Sequence, residues 1–151
     1  MKLSTKGRHA ITAMMELALR HQKGPVTLAD ISAEQSISVS YLEQLFARLR
    51  NHGLVTGMRG PGGGYCLRRP ATEITIAEIL SAVDDAMPAR RERIPGEEWP
   101  QSVIMWNQLS ARIYEYLDDL TLAEAVDQNR EPNTDKTEEP HFGFGFHQSA
   151  A

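Results

Sequence analysis

Two short helical patterns, a serine-containing break and a glycine-rich hairpin follow one another in this chain, and this order constrains the fold most. Thr27 can cap a short helix that runs to about Glu34. After a tight break, Ser38 or Ser40 can cap a second helix that runs to about Asn51. Two short helices joined by so brief a turn predict a helix-turn-helix.

The second of these helices has one strongly apolar face, and a hairpin follows it. Its stripe recurs at helical spacing and predicts burial of Leu42, Leu45, Phe46 and Leu49. Residues 54–58 and 65–67 are typical of short strands, and a run of glycines with one proline joins them. The hairpin is therefore predicted to be the wing of a winged helix-turn-helix.

Further helices flank this unit. Apolar spacing predicts a first helix from about Thr5 to Gln22, ahead of a Gly-Pro stop. Thr75 and Glu78 form a capping box for a fourth helix. The fold class is therefore mainly α: a winged helix-turn-helix domain with a two-stranded wing, plus a long C-terminal dimerisation helix.

The chain divides into four predicted segments. Residues 1–84 form the DNA-binding domain, 85–101 a charged connecting loop with prolines, 102–127 a dimerisation helix with a terminal turn, and 128–151 a disordered tail. The long helix is too apolar for one small domain to cover, so a second copy is expected to pack on it. The face expected in that dimer carries Trp106, Leu109, Ile113 and Leu117.

Charge is divided unequally along the chain. Residues 1–70 hold ten Lys and Arg against four Asp and Glu, whereas residues 71–151 hold six against sixteen. The front part is thus basic although the whole chain has a net charge of −4. A polyanion is therefore expected to meet the N-terminal half.

The outward positions of the predicted third helix have side chains suited to base recognition. Ser40, Glu43 and Gln44 lie opposite its apolar stripe. Gln44 can pair with adenine and Glu43 can accept from the cytosine amino group, while phosphates would repel Glu43 at other sites. The alternative for Glu43, stabilisation of a helix near its positive end, stays open here.

The wing provides the second predicted DNA contact. Arg59 is the candidate for the minor groove, and the small residues Gly60, Pro61 and Gly62 allow close approach. A flexible hairpin whose glycines only satisfy turn geometry is the alternative. The candidates for phosphate contact are Lys6, Arg8, Ser38, Tyr41, Arg48 and Arg50, with Arg68 and Arg69 as further basic candidates.

Several classes of protein are disfavoured. The first 23 residues are interrupted by charges, so neither a signal peptide nor a membrane span is expected, and a cytoplasmic location is predicted. A single cysteine, Cys66, cannot form a disulfide framework or a four-thiolate site. Since no catalytic constellation converges, we expect no enzyme and no metal site.

The runs KGRHAITAMMELAL, LADIS, ISVSYLEQLFARLR and GLVTGMRGPGGGYCL resemble the IscR family of iron–sulfur cluster regulators, which are dimeric winged-helix proteins. The resemblance continues through ITIAEILSAVD, Trp106 and LTLAEAV, but not into the tail beyond Asp127. The resemblance implies a homodimer that binds a palindromic operator of double-stranded DNA. Its base-recognising residues would match Ser40, Glu43 and Gln44. A wing arginine would match Arg59, and RNA polymerase would be a further partner.

The chain departs from the family where the family binds its [2Fe–2S] cluster. Relatives have three cysteines and a histidine in the loop before the long helix, whereas residues 90–105 contain neither residue type here. We therefore expect a transcriptional regulator that has no cofactor, and we expect it to act as a repressor. Two alternatives stay open: a sensor with unusual ligands, such as Cys66 or carboxylates, and a protein-interaction module without DNA affinity. Cys66 itself is predicted to be a small packed residue, and His9 and His21 to have surface or capping roles.

Overall fold

A helical core with one hairpin forms the protein in our computed structural model, which describes residues 3–84, 95–96 and 98–128. The elements, in chain order, are α1 (Thr5–Leu19), α2 (Leu28–Gln35), α3 (Val39–Asn51), β1 (Val55–Met58), β2 (Gly64–Leu67), α4 (Ile76–Val83), α5 (Gln101–Asp119) and α6 (Leu122–Gln128). The strands pair antiparallel, with Val55 opposite Leu67 and Met58 opposite Gly64. This confirms the predicted fold class.

Side-chain caps begin five of these helices, including α6, where Thr121 Oγ1 accepts from Glu124 N at 3.2 Å. Ser4 and Thr27 accept hydrogen bonds from the backbone of α1 and α2. Of the two serines that could cap α3, Ser38 does so, accepting from Tyr41 N at 3.3 Å. Both halves of the predicted box that begins α4 are present. Each cap satisfies a backbone N–H that would otherwise lack an intrahelical partner.

The end of the first helix differs from the prediction. α1 ends at Leu19 rather than near Gln22, and a separate 3₁₀ turn covers His21–Lys23. The apolar spacing that predicts α1 stops at Ala18, so nothing holds the following polar residues in the same helix. Gly24, with φ of +97°, then turns the chain toward α2.

One core joins all the helices except most of α5. The predicted stripe of α3 is fully buried, as are the inward side chains of α4. α1 lies against α4 so closely that a Cβ on Gly7 would come within 2.7 Å of Leu80 Cδ2. Met14 and Phe46, the two largest fully buried side chains, belong to this core.

The C-terminal helices are attached to this core through backbone bonds. Thr75 and Thr121 form an isolated antiparallel bridge, in which Ile76 N donates to Leu120 O at 2.9 Å. Leu122, at the start of α6, is completely buried. The end of α5 is thereby fixed relative to the start of α4. The division into segments 1–84 and 102–127 remains a prediction, although α6 packs against α1.

Candidate nucleic-acid interface

The three side chains predicted to probe bases lie together on the outer face of α3. Ser40, Glu43 and Gln44 are all exposed near the start of that helix, while its opposite face is buried. Ser38, just before them, uses an oxygen lone pair for the cap but keeps its hydroxyl hydrogen available for donation. The arrangement has the form of a helix end that can enter a major groove.

A contact with α1 supports the first turn of α3. The ring of His9 meets the ring of Tyr41 edge-on, with centroids 5.4 Å apart and planes at 82°. Nδ1 of His9 is buried and has no hydrogen-bond partner among the described residues. The prediction that His9 has a surface or capping role is therefore wrong: its ring packs between α1 and the candidate DNA-reading helix. Nothing in the local sequence pattern pairs residue 9 with residue 41.

The wing is held against the same core from two sides. Val26, between α1 and α2, forms a bridge with Tyr65: Val26 N donates to Tyr65 O at 3.0 Å and Tyr65 N to Val26 O at 2.8 Å. The Tyr65 ring packs on Phe46 of α3, with centroids 4.8 Å apart. Because Phe46 belongs to α3, wing and helix have a fixed relative position. Sequence reasoning missed Val26, since the bridge joins residues far apart in the chain.

The tip of the wing is a tight turn made of small residues. Gly63 N donates to Gly60 O at 2.9 Å, and Gly60 and Gly62 have φ of +106° and +74°. Both glycines have open space where a Cβ would be. Arg59 and Pro61 are exposed beside them. An exposed arginine next to backbone without side chains has the shape that a narrow minor groove admits.

The predicted phosphate-contacting residues are arranged in different ways. Arg8 and Arg50 are exposed, and Lys6 is half-buried. Arg48, by contrast, is half-buried and donates from Nη1 to Val83 O at 3.2 Å, at the end of α4. Arg48 therefore has a bond within the fold, and its phosphate role stays a prediction.

Most of α5 is left uncovered by the part of the chain that the structure describes. No residue of the helix is buried, and Trp106 and Leu109 keep 56% and 45% of their surface exposed. Ile113 is half-buried, and Leu117 packs against the core. The four residues predicted for the dimer interface are thus distributed from the uncovered end of the helix to the end that packs on the core. Their role in a dimer stays a prediction.

The one cysteine of the chain lies in strand β2 of the wing. Cys66 is half-exposed, and its thiol lies 3.7 Å from the Met58 thioether. Cys66 is partly buried like its neighbours Tyr65 and Leu67, whose side chains pack against the core, and its predicted role as a small packed residue stays a prediction. Among the described residues, no three His, Cys, Asp or Glu are grouped so as to hold a metal ion.

The fold agrees with what comparison with known proteins shows. The profile of the Rrf2 family, described as "Iron-dependent Transcriptional regulator", matches residues 3–128. The chain belongs to the Rrf2 family of transcriptional regulators. The HTH-type transcriptional regulator IscR of Serratia proteamaculans is 50% identical over 130 residues, which cover 83% of this chain and 79% of the relative. The corresponding protein of Xenorhabdus nematophila is 51% identical over the same length and shares.

Solved structures of Rrf2 regulators are also similar. The IscR of T. potens has a TM-score of 0.75 at 34% identity, covering 90% of this chain and 93% of that one. CymR, the global cysteine regulator of B. subtilis, has a TM-score of 0.74 at 36% identity, covering 85% and 98%. The predicted resemblance to the IscR family is confirmed. The chain is a DNA-binding transcriptional regulator of the IscR type with a winged-helix fold.

The residues of this Rrf2 chain do not fit the family's [2Fe–2S] cluster. Such clusters are held by several thiolates, with histidine as an occasional replacement. This chain has one cysteine, and it lies in the wing rather than in the segment before α5. Glu92, Glu97 and Glu98 in that segment are hard oxygen donors, poorly matched to this role.

Two of the predicted segments lie wholly or mostly outside the residues that the structure describes. The predicted connecting loop, residues 85–101, is described only at residues 95–96 and 98–101, and the predicted disordered tail, with His141 and His147, lies outside the described residues. Across the helices that are described, none is long and apolar enough to span a bilayer.

Proposed function

We propose that this Rrf2 regulator is a cytoplasmic homodimer that represses transcription by binding a palindromic operator without an iron–sulfur cluster. The observation that carries the proposal is that two exposed features suited to contact with DNA lie on one core. The start of α3 exposes Ser40, Glu43 and Gln44, and the wing exposes Arg59. The Phe46–Tyr65 contact and the Val26–Tyr65 bridge fix one relative to the other.

The roles of the individual side chains follow from their chemistry. Gln44 would pair with adenine in the major groove, and Glu43 would accept from cytosine while disfavouring sites without that donor. Ser40 reaches the same bases, and Arg59 would enter the neighbouring minor groove beside Gly60, Pro61 and Gly62. Phosphate contacts would come from Lys6, Arg8, Ser38, Tyr41 and Arg50, with Arg48 joining if its bond to Val83 is exchanged.

The exposed face of α5 supports the proposed dimer, and repression would follow from where its operator lies. Two copies joined along their exposed α5 faces would present two α3 helices to successive turns of a palindrome, at a half-site spacing of about 34 Å or a multiple of it. Occupancy of an operator within a promoter would then limit the access of RNA polymerase. A cluster-free state is supported by the mismatch between the ligand set and the [2Fe–2S] group.

Operator selection from random DNA, followed by salt titration, tests this function. The dimer should bind the selected palindrome, and with roughly six phosphate contacts it should lose about 10³-fold in affinity between roughly 50 and 200 mM salt. Arg59→Ala should weaken binding by about 1–3 kcal/mol, whereas the control Arg112→Ala, exposed on α5, should not. If the protein had no measurable affinity for any duplex at low salt, the result would instead favour a protein-interaction module.

Iron analysis and a reporter gene test the remaining parts of the proposal. Protein purified without oxygen should be colourless and free of iron while binding the operator at full strength. Iron with visible absorption would contradict the cluster-free state and favour a sensor with unusual ligands. A reporter gene downstream of the operator should be expressed less when the protein is present, and higher expression would contradict repression.

A further inference from the structure

An open cavity with three basic side chains lies at the base of the wing, where β2 leaves the hairpin beside the end of α1. Its volume is about 400 Å³, within the range of small-molecule sites. None of its lining residues is acidic: they are Ala18, His21, Leu67, Arg68, Arg69, Pro70, Ala71 and Thr72. The cavity is separate from the tip of the wing and from the exposed face of α3.

The basic groups of this cavity differ in how firmly they are held. Arg69 donates to Glu78 Oε1 at 2.9 Å and to Glu73 O at 3.0 Å, so its guanidinium is fixed in orientation. Arg68 and His21 are exposed, and no ion pair holds Arg68 within the described part of the chain. A pre-oriented guanidinium next to a freer one suits an anion with two or three oxygens.

The remaining lining determines what such an anion can be attached to. Ala18, Leu67 and Ala71 present methyl and isobutyl groups to the same space, and the Thr72 hydroxyl can donate a hydrogen bond. We propose that this cavity binds a small organic anion, a carboxylate or a phosphate ester with a short apolar body. The oxygens lie against Arg68 and Arg69, and the apolar body lies on the alanine and leucine side chains.

Hydrogen bonds connect this cavity to the helix that we propose for the dimer. Arg69 binds Glu78, whose other oxygen accepts from Thr75 N at 3.0 Å. Thr75 Oγ1 donates to Asp118 of α5 at 3.3 Å. An anion that draws the Arg69 guanidinium toward itself weakens its pair with Glu78. The effect on operator binding rests on the proposed function, whereas binding of the anion does not.

Titration of the full-length free protein with benzoate and phenyl phosphate, followed by ¹⁵N NMR, tests the site. Both probes should saturate with a Kd of about 10 mM or tighter and shift the amides of His21, Arg68 and Ala71. Benzamide, the uncharged counterpart of benzoate, should cause no saturable shift. Arg68→Gln should weaken the affinity for benzoate at least tenfold. Lys23 is a nearby exposed lysine outside the lining, so Lys23→Gln should leave that affinity unchanged. The ¹⁵N spectrum also shows that each variant is folded.

The remaining outcomes overturn the proposal. Equal binding of benzamide, no saturation by either anion, or equal losses in the two variants would each show that the cavity has no anion site. Phosphate groups could also come from DNA, so the titration is repeated with saturating operator. Retained benzoate binding supports a separate small-molecule site, and complete displacement shows that the basic groups serve the DNA backbone instead. Loss of DNA binding alone leaves the free-protein titration intact, so the two failures are distinguishable.

Discussion

The side chains at the start of α3 lie in two kinds of surroundings. Ser40, Glu43 and Gln44 are exposed and free to meet bases, whereas Tyr41, between them, is half-buried against His9. The outward set follows from helical spacing, so it could be predicted before the structure. The Tyr41 contact could not, because it joins two helices through aromatic geometry that leaves no periodic signal.

Glu43 should govern base preference more than affinity. Glu43→Ala removes an acceptor for the cytosine amino group and also removes repulsion from phosphates. We expect the variant to bind the selected operator within roughly fivefold of the native affinity, and to accept sites with other bases at the contacted position. Selection from random DNA with both proteins measures this. An identical consensus would show that Glu43 only stabilises the helix.

His9 should act through its ring rather than its nitrogens. His9→Phe keeps the edge-on contact with Tyr41 and removes a buried nitrogen that has no partner, so the free energy of unfolding should rise by about 1 kcal/mol. His9→Gln keeps a polar group but removes the ring, so both stability and operator affinity should fall. Urea denaturation and operator titration measure these changes. If His9→Gln preserved the operator affinity and His9→Phe did not, a ring nitrogen of His9 would be the functional group.

Helices and strands, at the next scale, were predictable to different degrees. Apolar periodicity and caps predicted five of the six described α-helices, and α6 only as a terminal turn. Turn residues predicted the hairpin. The end of α1 was wrong because a 3₁₀ turn has no apolar signature of its own. The anchoring of the wing was missed because the Val26–Tyr65 bridge closes a long loop. Local pattern therefore gives elements, and side-chain packing decides how they are joined.

The wing should depend on the close approach of Gly64 to Val26. A Cβ on Gly64 would lie 2.5 Å from Val26 O, so Gly64→Ala must break the bridge or shift the strand. We expect a loss of about 1–3 kcal/mol in unfolding free energy and a marked loss of operator affinity with helices intact. Faster hydrogen exchange at Tyr65 N would report the broken bridge.

Gly57→Ala is the matched control in the same hairpin. Its Cβ would be 3.7 Å from the Tyr65 ring, an ordinary van der Waals contact. This variant should keep stability to within about 0.5 kcal/mol and bind the operator normally. Equal effects of the two alanines would show that the contact with Val26 does not fix the wing.

The start of α4 should make stability depend on pH. Burial opposes ionisation of Glu78, but hydrogen bonds from Thr75 N and Arg69, together with the charge of Arg69, hold the pKa of Glu78 below its ordinary value. Because the folded state favours the ionised form, this contribution is present above the unfolded pKa of about 4.3 and is lost as pH falls through the folded value.

Comparison of Glu78→Gln with the native protein tests this dependence. The difference in unfolding free energy should be largest near neutral pH and should vanish below the folded pKa. Thr75→Ala removes the other half of the cap and should cost about 1 kcal/mol with little dependence on pH over the same range. A difference for Glu78→Gln that stayed constant with pH would contradict the role of the ionised carboxylate. Denaturation at a series of pH values measures both variants.

In the whole molecule, the anchoring of α5 would set the spacing of the two α3 helices in the proposed dimer. The bridge of Thr75 with Thr121 and the burial of Leu122 hold the end of α5 on the core. The opposite end, with Trp106 and Leu109, lies in solvent in a single chain. A second copy packed there would therefore have its own α3 at a distance set by a rigid connection. The apolar residues of α5 could be predicted from the sequence. The bridge of Thr75 with Thr121, which fixes the end of α5 on the core, could not.

Charge placed on the exposed face of α5 should separate the dimer without unfolding the chain. The double variant Trp106→Glu with Leu109→Glu would bury two unpaired carboxylates in the proposed interface, so the dimer dissociation constant should rise at least roughly 100-fold. Gln108→Glu adds a carboxylate on a different side of the same helix and should leave the dimer intact. Sedimentation velocity measures association, and the separated chains should bind a full palindrome no better than an isolated half-site. If the double variant remained a dimer with full affinity for the palindrome, the interface would lie elsewhere, and the spacing of the two α3 helices could not depend on α5.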